Sequence, residues 1–319
     1  MSSKLYFLFC ILLAASGLSA EKQKDGLKLE DFHVHDPFIL ADEKTQTYYL
    51  YSTGGKAFFS KDLENWEGPF KFIEIPDDSW ANPRHGAWAP EVHIYNGKYY
   101  LFVTLHNNDR PVKGKGKPLR PRHMRSTQVL VSDSPKGPFK PMSKMPTLPA
   151  GMMTLDGTFF VEDGCPWMVY CHEWVQIFDG TIEAVRLTND LSDTVGQPEL
   201  LFRGSDAPWA GAVNKEKGAY VTDGCFLYRT KAGKLLMLWS SWQKNHKYTQ
   251  GLAESTSGKL KGPWKQKKPL LTNDSGHGMI FKTFDGRLML AVHRPTMSPD
   301  SRARLHEIID TGDSIKLKD

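Results

Sequence analysis

Cysteine is scarce in this chain. Of the four present, Cys10 lies in an apolar N-terminal run, and the remaining Cys165, Cys171 and Cys225 are an odd number with no CxxC pair among them. A disulfide framework and a cysteine zinc site are thereby excluded; at most one pair forms, and buried free thiols serve equally well. Beyond residue 20 there is no apolar run long enough to span a bilayer, and no ten-residue stretch has clean helical periodicity. A large excess of one charge is missing too. The formal net charge of +5 is too small by itself to argue for nucleic acid, so no nucleic-acid partner is expected.

What stands at the N-terminus is "MSSKLYFLFCILLAASGLSA", with one lysine, an apolar run from Leu5 to Ala15, and small residues ending at Ala20. That pattern predicts a secretory signal over residues 1–20, cleaved after Ala20, and a secreted or periplasmic product. Glu21 follows the cleavage site, so no lipid anchor on an N-terminal cysteine, and no membrane anchor of any kind, is expected. Residues 21–319 are expected to form a single domain and a monomer.

Repetition is abundant. Five apolar, β-branched or aromatic runs each follow a turn: "TYYLYST", "KYYLFVT", "PWMVYCHE", "KLLMLWSS" and "RLMLAVHR". Just upstream of each turn sits a second strand, opening at Asp36, Ala89, Asp156, Asp223 and His277, with gaps of 53, 67, 67 and 54 residues. A third strand and a polar turn follow each pair. The unit is a β-meander repeated five times, and such sheets bury both faces only by packing radially. The expected fold is all-β, a five-bladed β-propeller with four-stranded antiparallel blades around a central channel. A β-sandwich of similar strand count gives no reason for the marks to recur.

In a propeller the innermost strand of each blade opens on one face of the channel. Asp36, Asp156, Asp223 and His277 are therefore expected to converge on one mouth, joined by Glu91 of the second blade. Second strands run back to the same face, so His106, Glu173, Trp242 and Arg294 are expected to ring it. Phe38, Trp88, Trp174, Trp242 and Arg294 are the candidate sugar-binding side chains. An Asp-Gly pair alone is a turn signal. Several carboxylates at equivalent points of separate repeats, in a concave aromatic-rimmed pocket, are what glycoside hydrolysis requires: one protonated acid and one ionised base.

The stretches "HDPFIL", "WAPEV", "LDGTFFVEDGCPWMVY" and "SGHGMIF" resemble the motifs of glycoside hydrolase family 43, inverting arabinofuranosidases, arabinanases and xylosidases on a five-bladed propeller. The resemblance implies Asp36 as general base, Asp156 as the residue that tunes and orients the acid, and His277 as a channel residue holding water or, in some members, a metal ion. No cofactor is required; a channel calcium or sodium ion reached from His277 through waters is the implied option. The implied substrate is an oligo- or polysaccharide, with exo release of α-L-arabinofuranose from plant-type side chains as the leading expectation. β-Xylosides and galactofuranosides are the alternatives. A fructan-processing relative is disfavoured, because "HDPFI" replaces the "NDPNG" type of nucleophile motif.

One departure stands out. Where the family motif reads "EGP", this chain has Asp223-Gly224-Cys225. Aspartate is shorter by ~1.5 Å, and a misplacement near 1 Å can cost on the order of 10²-fold in rate. Either Asp223 still reaches the glycosidic oxygen, or Glu173 supplies the acid, or the propeller only binds sugar. A basic loop, "NNDRPVKGKGKPLRPRHMRS" from Asn107, offers two readings: a solvated mobile excursion, or a set of cations over the mouth for a uronic acid.

Overall fold

Each of the five repeats folds as a four-stranded antiparallel sheet whose strands lie side by side in chain order, giving five blades. The computed structural model describes residues 26–297 and 299–318, so the expected signal segment lies outside the described residues. The inner strands are Phe38–Asp42, Ala87–Tyr95, Thr154–Glu162, Asp223–Arg229 and Gly276–Lys282. The second strands are Thr47–Ser52, Lys98–Pro111, Cys165–His172, Leu235–Trp242 and Leu288–Arg294.

Second strands read as continuous apolar runs because neighbouring blades cover both of their faces. Leu235 through Ser241 are all buried, with Trp239 fully enclosed between Phe202 and Trp209. Closure of the ring falls to the segment before the first blade. Val34 N–H donates to Ser301 O at 3.1 Å, the Ser301 hydroxyl returns to Val34 O at 2.8 Å, and Leu27 pairs with Trp66. Side chains of the first and fifth blades then share one apolar cluster, in which Val34 and Leu50 meet Phe281 and Ala291.

A β-bulge recurs where inner strands enter the channel. In the third blade Leu155 opposes Cys171 but Thr158 opposes Val169, so one extra residue is inserted. The second, fourth and fifth blades repeat that shift. The inserted residues Ala89, Asp156, Gly224 and His277 take a left-handed backbone, with φ of 43, 54, 56 and 53°, and Asp36, just ahead of the first blade's inner strand, has φ of 52°. Bulges re-aim side chains, and here they turn one residue per blade toward the axis. The fourth register mark therefore belongs to Gly224 rather than Asp223, and the spacing becomes 53, 67, 68 and 53 residues.

Candidate active site

The bulges build the site in two tiers around a cavity of about 230 Å³. Asp36, Asp156 and His277, all with left-handed backbone where their blades' inner strands begin, form its floor. His35, Trp88, Leu155 and Asp223, each one residue earlier in its blade, form the tier above. Trp88 is 37% exposed and Ala89 only 2%, so the upper tier faces the mouth. Thr53, Glu173, Trp242, Tyr248 and Thr296 complete the wall. A larger groove of about 480 Å³ on the outer flank runs past Trp167 and Arg186. Its Asp163 and Glu199 are ion-paired with Lys259 and Lys261, and it offers no free acid and base.

Asp36 is surrounded by imidazoles and one hydroxyl. His277 Nδ1 lies 2.9 Å from Oδ1, His35 Nδ1 also 2.9 Å, and Thr53 donates its hydroxyl to Oδ2 at 2.6 Å. The Asp36 N–H donates to His293 Nδ1 at 3.1 Å. Burial raises the carboxyl's proton affinity, but the His277 and His35 imidazoles outweigh it and hold Asp36 well below the usual carboxylate range. The same contacts act in reverse on His277: burial lowers its affinity, Asp36 and Asp156 overcome that, and its pKa is pushed up to about 10.

Asp156 and Asp223 behave oppositely to Asp36. Burial raises Asp156 to about 6, with His277 opposing and Asp36 assisting. It accepts the Gly224 N–H at Oδ2, 3.0 Å away. Burial, then the charge of Asp156, push Asp223 up to about 8 despite His277. Its described hydrogen-bond partner is the Tyr248 hydroxyl, which donates to Oδ2 at 3.1 Å. Tyr248 stacks on His293, and His293 on His35, so one column of rings spans from the Asp223 side to the Asp36 side.

Glu173 also lines the cavity, but it is ion-paired with Arg125, whose guanidinium lies 4.5 Å from the Trp88 ring. Burial raises Glu173 and Arg125 opposes it. Trp88 and Trp242 stand in the wall as expected. Five expectations need correction. Glu91 lies below the mouth, two residues past the bulge, with His93 Nε2 2.9 Å from Oε2. Phe38 is buried, packed edge-on against His93. Trp174 stays outside the cavity wall, with Arg120 over its ring. Arg294 is exposed; side chains alternate along a strand, and its neighbour His293 is the one that turns inward. His106 sits behind Trp88 rather than on the rim, and burial lowers it to about 2.

His35, Thr53, Arg125, Tyr248 and His293 are the site residues that sequence reasoning missed. His35 had a signal, being adjacent to a register mark; Tyr248, the first residue of a third strand, had none. The three described cysteines are free. His35, Asp36 and His293 bring potential metal-binding atoms within 4.8 Å of one another; Thr296 O engages His35 Nε2 and the Asp36 N–H engages His293 Nδ1, which leaves His35 Nδ1 beside Asp36 and His293 Nε2 buried without hydrogen-bond partners. Beside His277, Nδ1 faces Asp36 and Asp156 Oδ2 accepts from Gly224. Hard ions take about six to eight oxygens, and the described residues here form no such cage.

Comparison with known proteins agrees with this fold. The model of the glycosyl hydrolases family 43 matches residues 30–308. The solved structure of an endo-arabinase from Bacteroides thetaiotaomicron VPI-5482 superposes with a TM-score of 0.79 at 40% identity, covering 90% of this chain and 98% of that one. An exo-1,5-α-L-arabinanase from a bovine ruminal metagenomic library shares the fold, with a TM-score of 0.68 at 19% identity over 90% of this chain and 97% of that one. An extracellular endo-α-(1->5)-L-arabinanase of Thermotoga petrophila is 28% identical over 149 residues, 42% of this chain and 28% of that protein. The matched stretch thus spans less than a third of that relative's length.

Proposed function

The chain belongs to glycosyl hydrolases family 43, and on that premise we propose that it cleaves α-L-arabinofuranosidic bonds in plant-type arabinan with inversion, Asp36 acting as general base and Asp223 as general acid. One observation carries the reading: two carboxylates of a single cavity are driven in opposite directions, Asp36 toward the ionised form and Asp223 toward the protonated form. Inverting hydrolysis needs that division of labour. Asp36 takes a proton from water as the water attacks the anomeric carbon, while Asp223 gives its proton to the departing glycosidic oxygen. Asp156, between them, keeps Asp223 protonated by like charge and orients the fourth blade through Gly224 N–H.

The names of the relatives support the sugar. An endo-arabinase at 40% identity and an endo-α-(1->5)-L-arabinanase favour internal cleavage over the exo release expected from sequence. The leader-like residues 1–20 support export. The test is incubation of the purified chain with linear α-1,5-arabinan and with xylan, following the anomeric configuration of the products by NMR. Inverted arabino-oligosaccharides are expected, and Asp36→Asn should retain less than about a hundredth of the rate. Retained configuration, or cleavage of xylan alone, overturns the proposal.

A further inference from the structure

The basic loop after the second strand of blade 2 is a built surface. From Arg110 to Arg125 the chain carries seven cations and no carboxylate; against a total of +5, the remainder is net negative. Arg110, Lys113, Lys115, Lys117 and Arg120 are exposed, and among the described residues none has a carboxylate within ion-pair distance. The nearest acids in sequence, Asp109 and Asp133, are themselves exposed. Charges of one sign repel, and a loop left to itself would spread them.

This loop is instead pinned against the short helix Trp174–Ile177 that follows Glu173. Lys115 N–H donates to Gln176 O at 2.8 Å, Gln176 Nε2 donates to Lys113 O at 2.7 Å, and Arg122 Nε donates to Val175 O at 2.8 Å. Lys115, Arg122 and Lys217, the last from a different loop, gather over the single Phe178 ring at 5.8, 5.9 and 5.3 Å. The set borders the cavity: Arg120 lies over Trp174, next to the wall residue Glu173, and Arg125 pairs with Glu173 itself.

Arg125 is neutralised by Glu173, but the exposed cations held beside the sugar cavity have no carboxylate within ion-pair distance and are suited to an external anion that arrives with a sugar chain. We propose that the rim of blades 2 and 3 is a subsite for carboxylates of a uronic-acid-bearing polysaccharide, which anchors an acidic backbone while its neutral arabinose branch enters the cavity. The identity of the branch rests on the proposed function; the binding of the backbone does not. Ammonium and guanidinium groups meet carboxylates by charge-assisted hydrogen bonds, and at an exposed rim this attraction falls with salt.

The test uses the full chain, with Lys113, Lys115 and Lys117 all changed to Gln. The anchors at residues 113 and 115 are backbone atoms and survive the change. Affinity electrophoresis is run in gels containing polygalacturonate, neutral linear arabinan or dextran sulfate. Wild type should be retarded by polygalacturonate at low salt, with binding about tenfold weaker in the triple variant and arabinan cleavage unchanged. Equal retardation of both proteins, none of wild type, or dextran sulfate binding as tightly as polygalacturonate each overturns the subsite. Failure to cleave arabinan with loop-dependent polygalacturonate binding intact sinks the proposed activity and leaves the subsite standing.

Discussion

Asp223 stands one residue ahead of the bulge position that Asp156 occupies in the preceding blade, and the Gly224 N–H that follows it donates to Asp156 Oδ2 at 3.0 Å. The two carboxylates are thus fixed to one another through the backbone, on different tiers. A strand rises ~3.3 Å per residue, so Asp223 starts about that much nearer the mouth than a residue at the bulge. The shorter aspartate is projected from the upper tier, on the side where a leaving group departs.

Gly224 is the joint of this arrangement. Its φ is +56°, and a Cβ there would lie 2.8 Å from His277 Cγ and 2.9 Å from His277 Cα. Left-handed backbone costs a residue with a Cβ ~1–2 kcal/mol, and the clash with His277 adds to that. Gly224→Ala should lower the thermal midpoint and also disturb His277, which sits against Asp36. Chemical denaturation should show a loss of about 2 kcal/mol or more. A variant with parental stability and parental rate would mean that the fourth blade has room this geometry denies.

Tyr248 sets how tightly Asp223 keeps its proton. A hydroxyl that donates to a carboxylate favours the ionised form, so the Tyr248 contact restrains a pKa that burial and Asp156 push up to about 8. The general acid works only while protonated, so activity should fall as pH rises through that value. Tyr248→Phe keeps the ring on His293 and removes the donor; the alkaline limb should then move upward by about one pH unit. A downward move, or no alkaline limb in either protein, would take the acid role from Asp223.

Much of this arrangement was legible in the sequence, for physical reasons that also mark where legibility stopped. Blades repeat because each second strand is buried on both faces, and that writes five apolar runs into the chain. Asp36, Asp156 and His277 were readable because a left-handed residue returns at a fixed place in each blade and Asp and His tolerate that backbone. The fourth blade concealed its register, since Gly224 takes the bulge and leaves Asp223 one step out, though Asp223 still reaches the cavity. Arg294 and His293 were exchanged by a shift of one in strand parity. Tyr248 and Arg125 come from third strands, whose approach to the mouth depends on packing between blades.

Glu173 is the rival acid, and its bond to Arg125 separates the two readings. Asp223 has no such cation among its hydrogen-bond partners, whereas Arg125 directly opposes the protonation of Glu173. Asp223→Ala should therefore slow substrates with poor leaving groups and spare an activated aryl arabinofuranoside, whose phenolate departs without a proton. Glu173→Gln should slow both alike, through the lost ion pair with Arg125 at the wall. Stability gives an independent reading of the pair. Arg125→Met strands a buried carboxylate, which costs ~3–5 kcal/mol when the charge remains, and adding Glu173→Gln should restore a large part of that loss. If Glu173→Gln alone shows the leaving-group dependence and the double variant is no more stable than Arg125→Met, then Glu173 bears the working proton and Asp223 serves to orient it.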